Sequence, residues 1–348
     1  MMIEPVELES PGTVKLSLAS AMALDLKPGL FWRGATNPCI NILLNYKTGC
    51  IAKCAYCGLS KAREGEYNDK SFINVEWPIV KLETVISAIS GKNGLVRRIC
   101  ISMITESRAV ADTKTILRKL KEGVPDIPVS VLLSPTIVNK SDMEVMKALG
   151  ADKVGIAVDA AHELIFDKFR GSKVNGPHKW ERYWQAIDEA VDVFGKGNVG
   201  IHMIVGLGET EKQFVETMFK IRSMGAKTHL FSFFAEDNSP LDKVAQPPMG
   251  KYRRLQLARY LIDEENVEGD SITFRNDEVF GFGIHLKTVE NIIESGIPFM
   301  TSGCTGKNGK VACNRPYGDS LPGDNIRSFP FKPETEDVER IKRQIFEY

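Results

Sequence analysis

Through the middle of this 348-residue chain, short runs of apolar and β-branched residues alternate with longer amphipathic stretches. The runs Cys39–Tyr46, Arg97–Met103, Pro128–Leu133, Lys153–Val158, Val199–Val205 and Thr228–Phe234 read as strands. Helical periodicity falls between them, near Val80–Ser90, Ala111–Glu122, Ser141–Leu149, Trp180–Phe194 and Thr210–Met224. A further helix follows the sixth run, at Lys251–Glu264. A strand followed by a helix, repeated in this way, predicts parallel strands joined by crossover helices. No seventh or eighth unit is evident. The expected fold class is therefore α/β, a partial (β/α)6 TIM-like barrel with N- and C-terminal extensions, its chemistry at the C-terminal ends of the strands.

The pattern divides the chain into an N-terminal extension (1–36), the barrel (37–264) and a C-terminal extension (265–348). The first reads as one helix, Leu16–Leu26, stopped by Lys-Pro-Gly, and then a loop. The last is rich in Gly, Pro and Asn and reads as irregular, apart from helices near Leu286–Ser295 and Glu334–Glu347. Such segments commonly carry function on a rigid scaffold, and they also serve as packing tails.

Composition changes this picture little. Apolar residues at 43% and charged residues at 26% describe a globular chain with a large core. Lysine plus arginine and aspartate plus glutamate number 45 each, and the absence of a basic excess argues against a nucleic-acid or membrane-surface partner. The longest apolar runs, such as Gly200–Leu207, are too short for a bilayer. The acidic start lacks the order of a signal peptide, so a cytoplasmic location is expected.

The chemistry is announced by cysteine. The chain has seven, at 39, 50, 54, 57, 100, 304 and 313, an odd number that does not suit a disulfide framework. Three fall in Asn45–Gly58, NYKTGCIAKCAYCG, directly after the first barrel strand. The spacing C-x3-C-x2-C supplies three thiolates from one loop. A tetrahedral zinc site wants a fourth ligand nearby, and no histidine precedes His162. Three thiolates on a cubane instead leave one iron open to a substrate. A zinc knuckle or a redox thiol set is the plainer alternative.

This segment resembles the signature of the radical S-adenosylmethionine (SAM) superfamily, which has an aromatic residue just before the third cysteine, here Tyr56. The resemblance implies that Cys50, Cys54 and Cys57 hold a [4Fe–4S] cluster that cleaves SAM to a 5′-deoxyadenosyl radical, with Tyr56 near the adenine. The turn Gly200–Thr210, GIHMIVGLGET, is similar to one in biotin synthases that lines the adenosyl site, which implies roles for Gly206 and Gly208. By the same resemblance Arg182 binds the SAM carboxylate, Asp159 accepts from ribose hydroxyls and Ser102 contacts the SAM amino group. The plainer readings are a solvated arginine, a helix cap and, for His202, a barrel-interior side chain.

Cys304 and Cys313 lie in a polar loop, TSGCTGKNGKVACNRP, with no packing reason for cysteine, and Cys39 opens the first strand. If the C-terminal extension folds across the barrel, these three thiolates meet over a second [4Fe–4S] cluster, with Ser328 as the expected fourth ligand and Cys100 in reserve. Core burial is the alternative for Cys100. The stretches NPCINILLNY and CGLSKAREGEY and the run Cys313–Pro316 resemble the two-component lipoyl synthases. That resemblance implies sulfur insertion into an octanoyl chain on a lipoyl-carrier protein, with an auxiliary cluster as sulfur donor, a second radical SAM subunit and a low-potential electron donor as partners. A two-cluster dehydrogenase or peptide-modifying enzyme and a SAM-free iron–sulfur carrier are the rivals.

Overall fold

All six expected strands form within two residues of their expected bounds, and so do the helices between them. The computed structural model describes residues 9–92, 94–268 and 270–347; the first eight residues of the expected N-terminal extension lie outside this range. A strand β1 (Thr13–Leu16) and helix α1 (Leu18–Ala23) lead into β2 (Cys39–Leu44). Next come β3 (Ile79–Lys81), α2 (Leu82–Gly91), β4 (Arg98–Ser102), α3 (Ala109–Gly123) and β5 (Val129–Leu133). After α4 (Lys140–Ala148), β6 (Ala151–Asp159), α5 (Glu163–Phe169) and α6 (Trp180–Phe194), the barrel finishes with β7 (Val199–Val205), α7 (Glu211–Ser223), β8 (Lys227–Ser232) and α8 (Met249–Asp263).

The sheet runs β3-β1-β2-β4-β5-β6-β7-β8. From β2 to β8 every pairing is parallel, which puts all the strand C-termini at one mouth. On the helix-facing side Ile99, Ile101, Val129, Val131, Val154, Ile156, Ile201 and Met203 are fully buried in one core. The alternate positions, including Asn41, Cys100, Ser102, Leu132, Ala157, His202, Ile204 and Phe231, are only partly buried. They line a lumen.

The N-terminal extension forms its helix at Leu18–Ala23, within the expected Leu16–Leu26, and adds an unexpected strand before it. Val14 pairs with Leu44 and with Val80, so Thr13–Leu16 becomes an antiparallel strand between β2 and β3. Ser17 then caps α1, its Oγ accepting from Ser20 N at 3.2 Å. All four residues of TVKL are buried, and of the expected helix only Leu16 is drawn into the β pairing.

The C-terminal extension is also more ordered than expected. A hairpin of β9 (Ile272–Arg275) and β10 (Glu278–Phe282) turns at Asn276-Asp277, both at positive φ, the conformation a two-residue hairpin demands. Helices α9 (Leu286–Ser295) and α10 (Thr335–Ile345) fall where expected. Between them residues 300–331 run from β8 past the N-terminal ends of β4 and β2. His229 on β8 meets Ser302 at 3.2 Å, Arg98 Nε donates to the Thr305 carbonyl at 2.8 Å, and Asn314 Nδ2 donates to the Thr36 carbonyl at 2.7 Å.

Candidate active site and a second thiol cluster

The loop after β2 is pinned from both sides. Ile51 N donates to Thr105 O beyond β4 at 2.9 Å, and Ala55 N to Phe169 O at the end of α5 at 2.7 Å. The residues that follow are held by two lysines used as internal cations. Lys15 Nζ, on β1, donates to the carbonyls of Tyr67, Asn68 and Lys70, and Lys70 Nζ to those of Ser60 and Arg63. Glu236, past β8, accepts from Ile73 N at 2.6 Å. Cys50, Cys54 and Cys57 are thereby held together at the mouth, each within the others' electrostatic reach. Burial pushes the Cys54 thiol up to about 12 and that of Cys57 well above its usual range. Binding of iron would displace those protons.

Across the mouth the Tyr56 hydroxyl donates to Asp159 Oδ2 at 2.6 Å, and Arg170 Nη1 donates to the same oxygen at 2.7 Å. Asp159 ends β6 at a φ of +66°, and burial raises its pKa against the pull of Arg170. It does not cap the next helix; His162 caps α5. Arg170 also binds the Ala157 and Val158 carbonyls and the Tyr183 hydroxyl. Sequence reading missed this arginine, because its role depends on a strand end and a helix that only the fold brings together.

The residues at the mouth fit a bound SAM. Gly206 and Gly208 sit at φ of +118° and +124°, where a side chain would be strained. A Cβ on Gly206 would meet Pro247 at 2.9 Å. Next to them Glu209 is buried, with Oε1 accepting from Ala161 N at 2.9 Å and Oε2 without a partner among the described residues. Arg182 is tied to the Pro135 and Val138 carbonyls and to Glu189, which excludes a freely solvated side chain. Its Nη1 is buried and unpartnered among the described residues. Ser102 ends β4 opposite Leu43 and Leu132.

Deeper in the lumen the remaining cysteines converge. Cys39 and Cys313 share a hydrogen bond, which with the charges of Arg315 and Arg98 holds Cys313 down at about 7 against burial. The same bond, burial and the fields of Cys313, Cys100 and Cys304 raise Cys39. Cys100, expected either in the core or in reserve, belongs to this group: its register partner is Asn41, whose Oδ1 lies 3.9 Å from Cys313 Sγ. Ser130, whose Oγ donates to the Ile99 carbonyl at 3.4 Å, lies near both Cys100 and Cys304. Ser328, the expected fourth ligand, is engaged elsewhere. Its hydroxyl donates to Asp319 at 2.8 Å and lies 2.9 Å from the Tyr252 hydroxyl.

No disulfide joins any of the seven cysteines. Among the described residues no three His, Cys, Asp or Glu side chains close around a single metal ion. A cubane, with one thiolate on each iron, makes no such demand. Cys39 opens β2 and the Cys50–Cys57 loop follows its end, so the length of β2 separates the two thiol groups in the chain. The lumen also presents Leu43, Leu132, Ala157, Ile204 and Phe231.

The Radical SAM superfamily model matches residues 44–221. A biotin synthase of Cutibacterium acnes is 24% identical over 237 residues, which cover 66% of this chain and 61% of that protein. One of Saccharopolyspora erythraea is 23% identical over 235 residues, with the same coverage. The chain thus spans about 61% of the length of these curated relatives. The crystal structure of HydG, a maturase of the [FeFe]-hydrogenase, superposes with a TM-score of 0.50 at 13% identity, covering 70% of this chain and 53% of that one; this likeness shows the fold. Among the described residues no helix is long and apolar enough to cross a membrane.

Proposed function

The chain belongs to the radical SAM superfamily, and from that premise we propose that it inserts sulfur into an octanoyl chain carried on a lipoyl-carrier protein. When bound, SAM and the cluster of Cys50, Cys54 and Cys57 supply hydrogen abstraction, and a second cluster supplies sulfide. Cys39, Cys100, Cys304 and Cys313 would hold that second cluster, leaving no iron open to SAM. Arg182 Nη1 would grip the SAM carboxylate, for which a guanidinium is suited. Asp159, Tyr56 and the Gly206–Glu209 turn would hold the nucleoside half.

One observation carries this reading: four thiols from β2, β4 and the C-terminal segment converge, apart from the three of the radical-site loop. The apolar residues Leu43, Leu132, Ala157, Ile204 and Phe231 of the lumen suit an alkyl chain. The likeness to biotin synthases supports sulfur insertion as the reaction class. The runs around Cys39, Cys57 and Cys313 that resemble the two-component lipoyl synthases support the octanoyl substrate, a second radical SAM subunit and a low-potential electron donor.

The test is anaerobic reconstitution with an octanoyl-lysine peptide or carrier protein and SAM. Thiolated product is expected, with iron lost only from the second cluster and about one turnover without repair, because removing sulfide dismantles a cubane. Sustained turnover with both clusters intact would replace this reading with that of a dehydrogenase using the second cluster as an electron conduit.

A further inference from the structure

Arg315 lies two residues beyond Cys313, at a φ of +36° that non-glycine residues seldom adopt. The turn lays its guanidinium over the Phe231 ring, 3.9 Å from the centroid, inside the lumen. Nη2 donates to the Ser302 carbonyl at 2.8 Å, while Nε is buried with no partner among the described residues. Among those residues no Asp or Glu pairs with it. Its other neighbours, His202 and His229, are kept neutral by burial and by the arginine's own charge. Arg315 is half-buried, and its guanidinium enters the lumen among neutral partners, a setting that favours an anion beside it.

The four thiols become that anion when bound metal takes their protons. Of the other cations near it, Arg98 is bidentate on Asp152 at 2.7 Å, while Lys153 donates to the neutral Asn198 Oδ1 at 2.7 Å and is half-buried at the start of β6. We propose that Arg315 is the counter-ion of the Cys39, Cys100, Cys304 and Cys313 site, a positioning residue that balances the thiolates when metal is bound and sets the potential of that site. The inference rests on the second cluster of the proposed function and does not require that the cluster give up sulfur. Net charge around an iron–sulfur cluster is a main determinant of its potential. A fixed positive charge favours the reduced form.

The experiment uses the full chain with Cys50, Cys54 and Cys57 replaced by alanine, so that only the second cluster is seen. Iron and sulfide per chain and the midpoint potential would be measured for this chain and for its Arg315→Gln and Arg315→Lys forms. Arg315→Gln should shift the potential to more negative values and lower iron retention, and Arg315→Lys should restore most of both. Unchanged potential and iron in Arg315→Gln would overturn the proposal. Equal loss in both variants would also overturn it, since Arg315 would then serve only to brace Ser302. A cluster that responds to Arg315 here, with the octanoyl chain left unmodified by the protein that keeps all seven cysteines, would uphold this role and sink the sulfur-insertion reading.

Discussion

His229 occupies the space that a side chain at position 200 would need: a Cβ built on Gly200 falls 2.6 Å from His229 Nε2. The imidazole fills that space from the neighbouring strand, where His229 lies two residues beyond Lys227, the register partner of Gly200.

Replacing Gly200 by alanine should therefore destabilise the protein by roughly 1–3 kcal/mol, the cost of overpacking a filled interior. Denaturant midpoints would measure it. Adding His229→Ala should recover part of the loss, and strictly additive effects would show that the two residues do not compete for space.

Cys54→Ala should abolish formation of deoxyadenosine while iron bound at the other four cysteines persists. Chromatographic detection of deoxyadenosine and iron analysis of the variant would check both halves. Normal SAM cleavage would remove Cys54 from the reducing cluster.

Arg182→Ala should weaken SAM binding by roughly 1.5–3 kcal/mol, the range for a hydrogen bond to a charged group. The variant also loses its ties to the Pro135 and Val138 carbonyls, so a thermal melt must accompany the SAM titration. Lower stability with unchanged SAM affinity would make Arg182 a brace between α6 and the loop after β5.

The barrel was legible because each β/α unit carries its own periodicity, and β7 and α6 fall on their expected bounds. The cysteine loop was legible because its three ligands are local. What the sequence hid is long-range. Ser328 sits in a run, IRSF, that invites a ligand role, yet a buried bond to Asp319 holds it. Cys100 lies in an apolar strand that suggests core, and only the alternation of β4 against β2 turns it toward Cys39 and Cys313. Arg170 and Arg315 carry no local signal, since each acquires its role from partners on other elements.

The pH dependence of stability should carry the mark of Glu209. Burial raises its carboxyl from 4.5 to about 7, although the Ala161 N–H and Lys251 favour the charged form. The folded state then holds a proton that the unfolded chain releases, so this group's contribution is fully present below about pH 4.5 and lost as pH rises to about 7. That shift corresponds to at most about 3 kcal/mol. Glu209→Gln should flatten the decline between pH 5 and 7 in SAM-free protein, as read from denaturant midpoints. An unchanged slope would mean that Glu209 is ionised when folded.

The fourth thiol can be tested against the serine it displaced. Cys100 shares the lumen face with Asn41 and lies within reach of Cys304 and Cys313, whereas Ser328 completes a buried network with Asp319 and Tyr252. Cys100→Ala should thus lower iron and sulfide at the second site and spare deoxyadenosine formation, because the reducing cluster does not use it. Ser328→Ala should leave metal content unchanged and cost about 1–3 kcal/mol, the penalty for stranding buried polar partners. Anaerobic metal analysis of both variants, with a melt for each, separates the outcomes. Iron lost from Ser328→Ala and retained in Cys100→Ala would reverse the assignment, and would require the C-terminal segment to rearrange when metal binds.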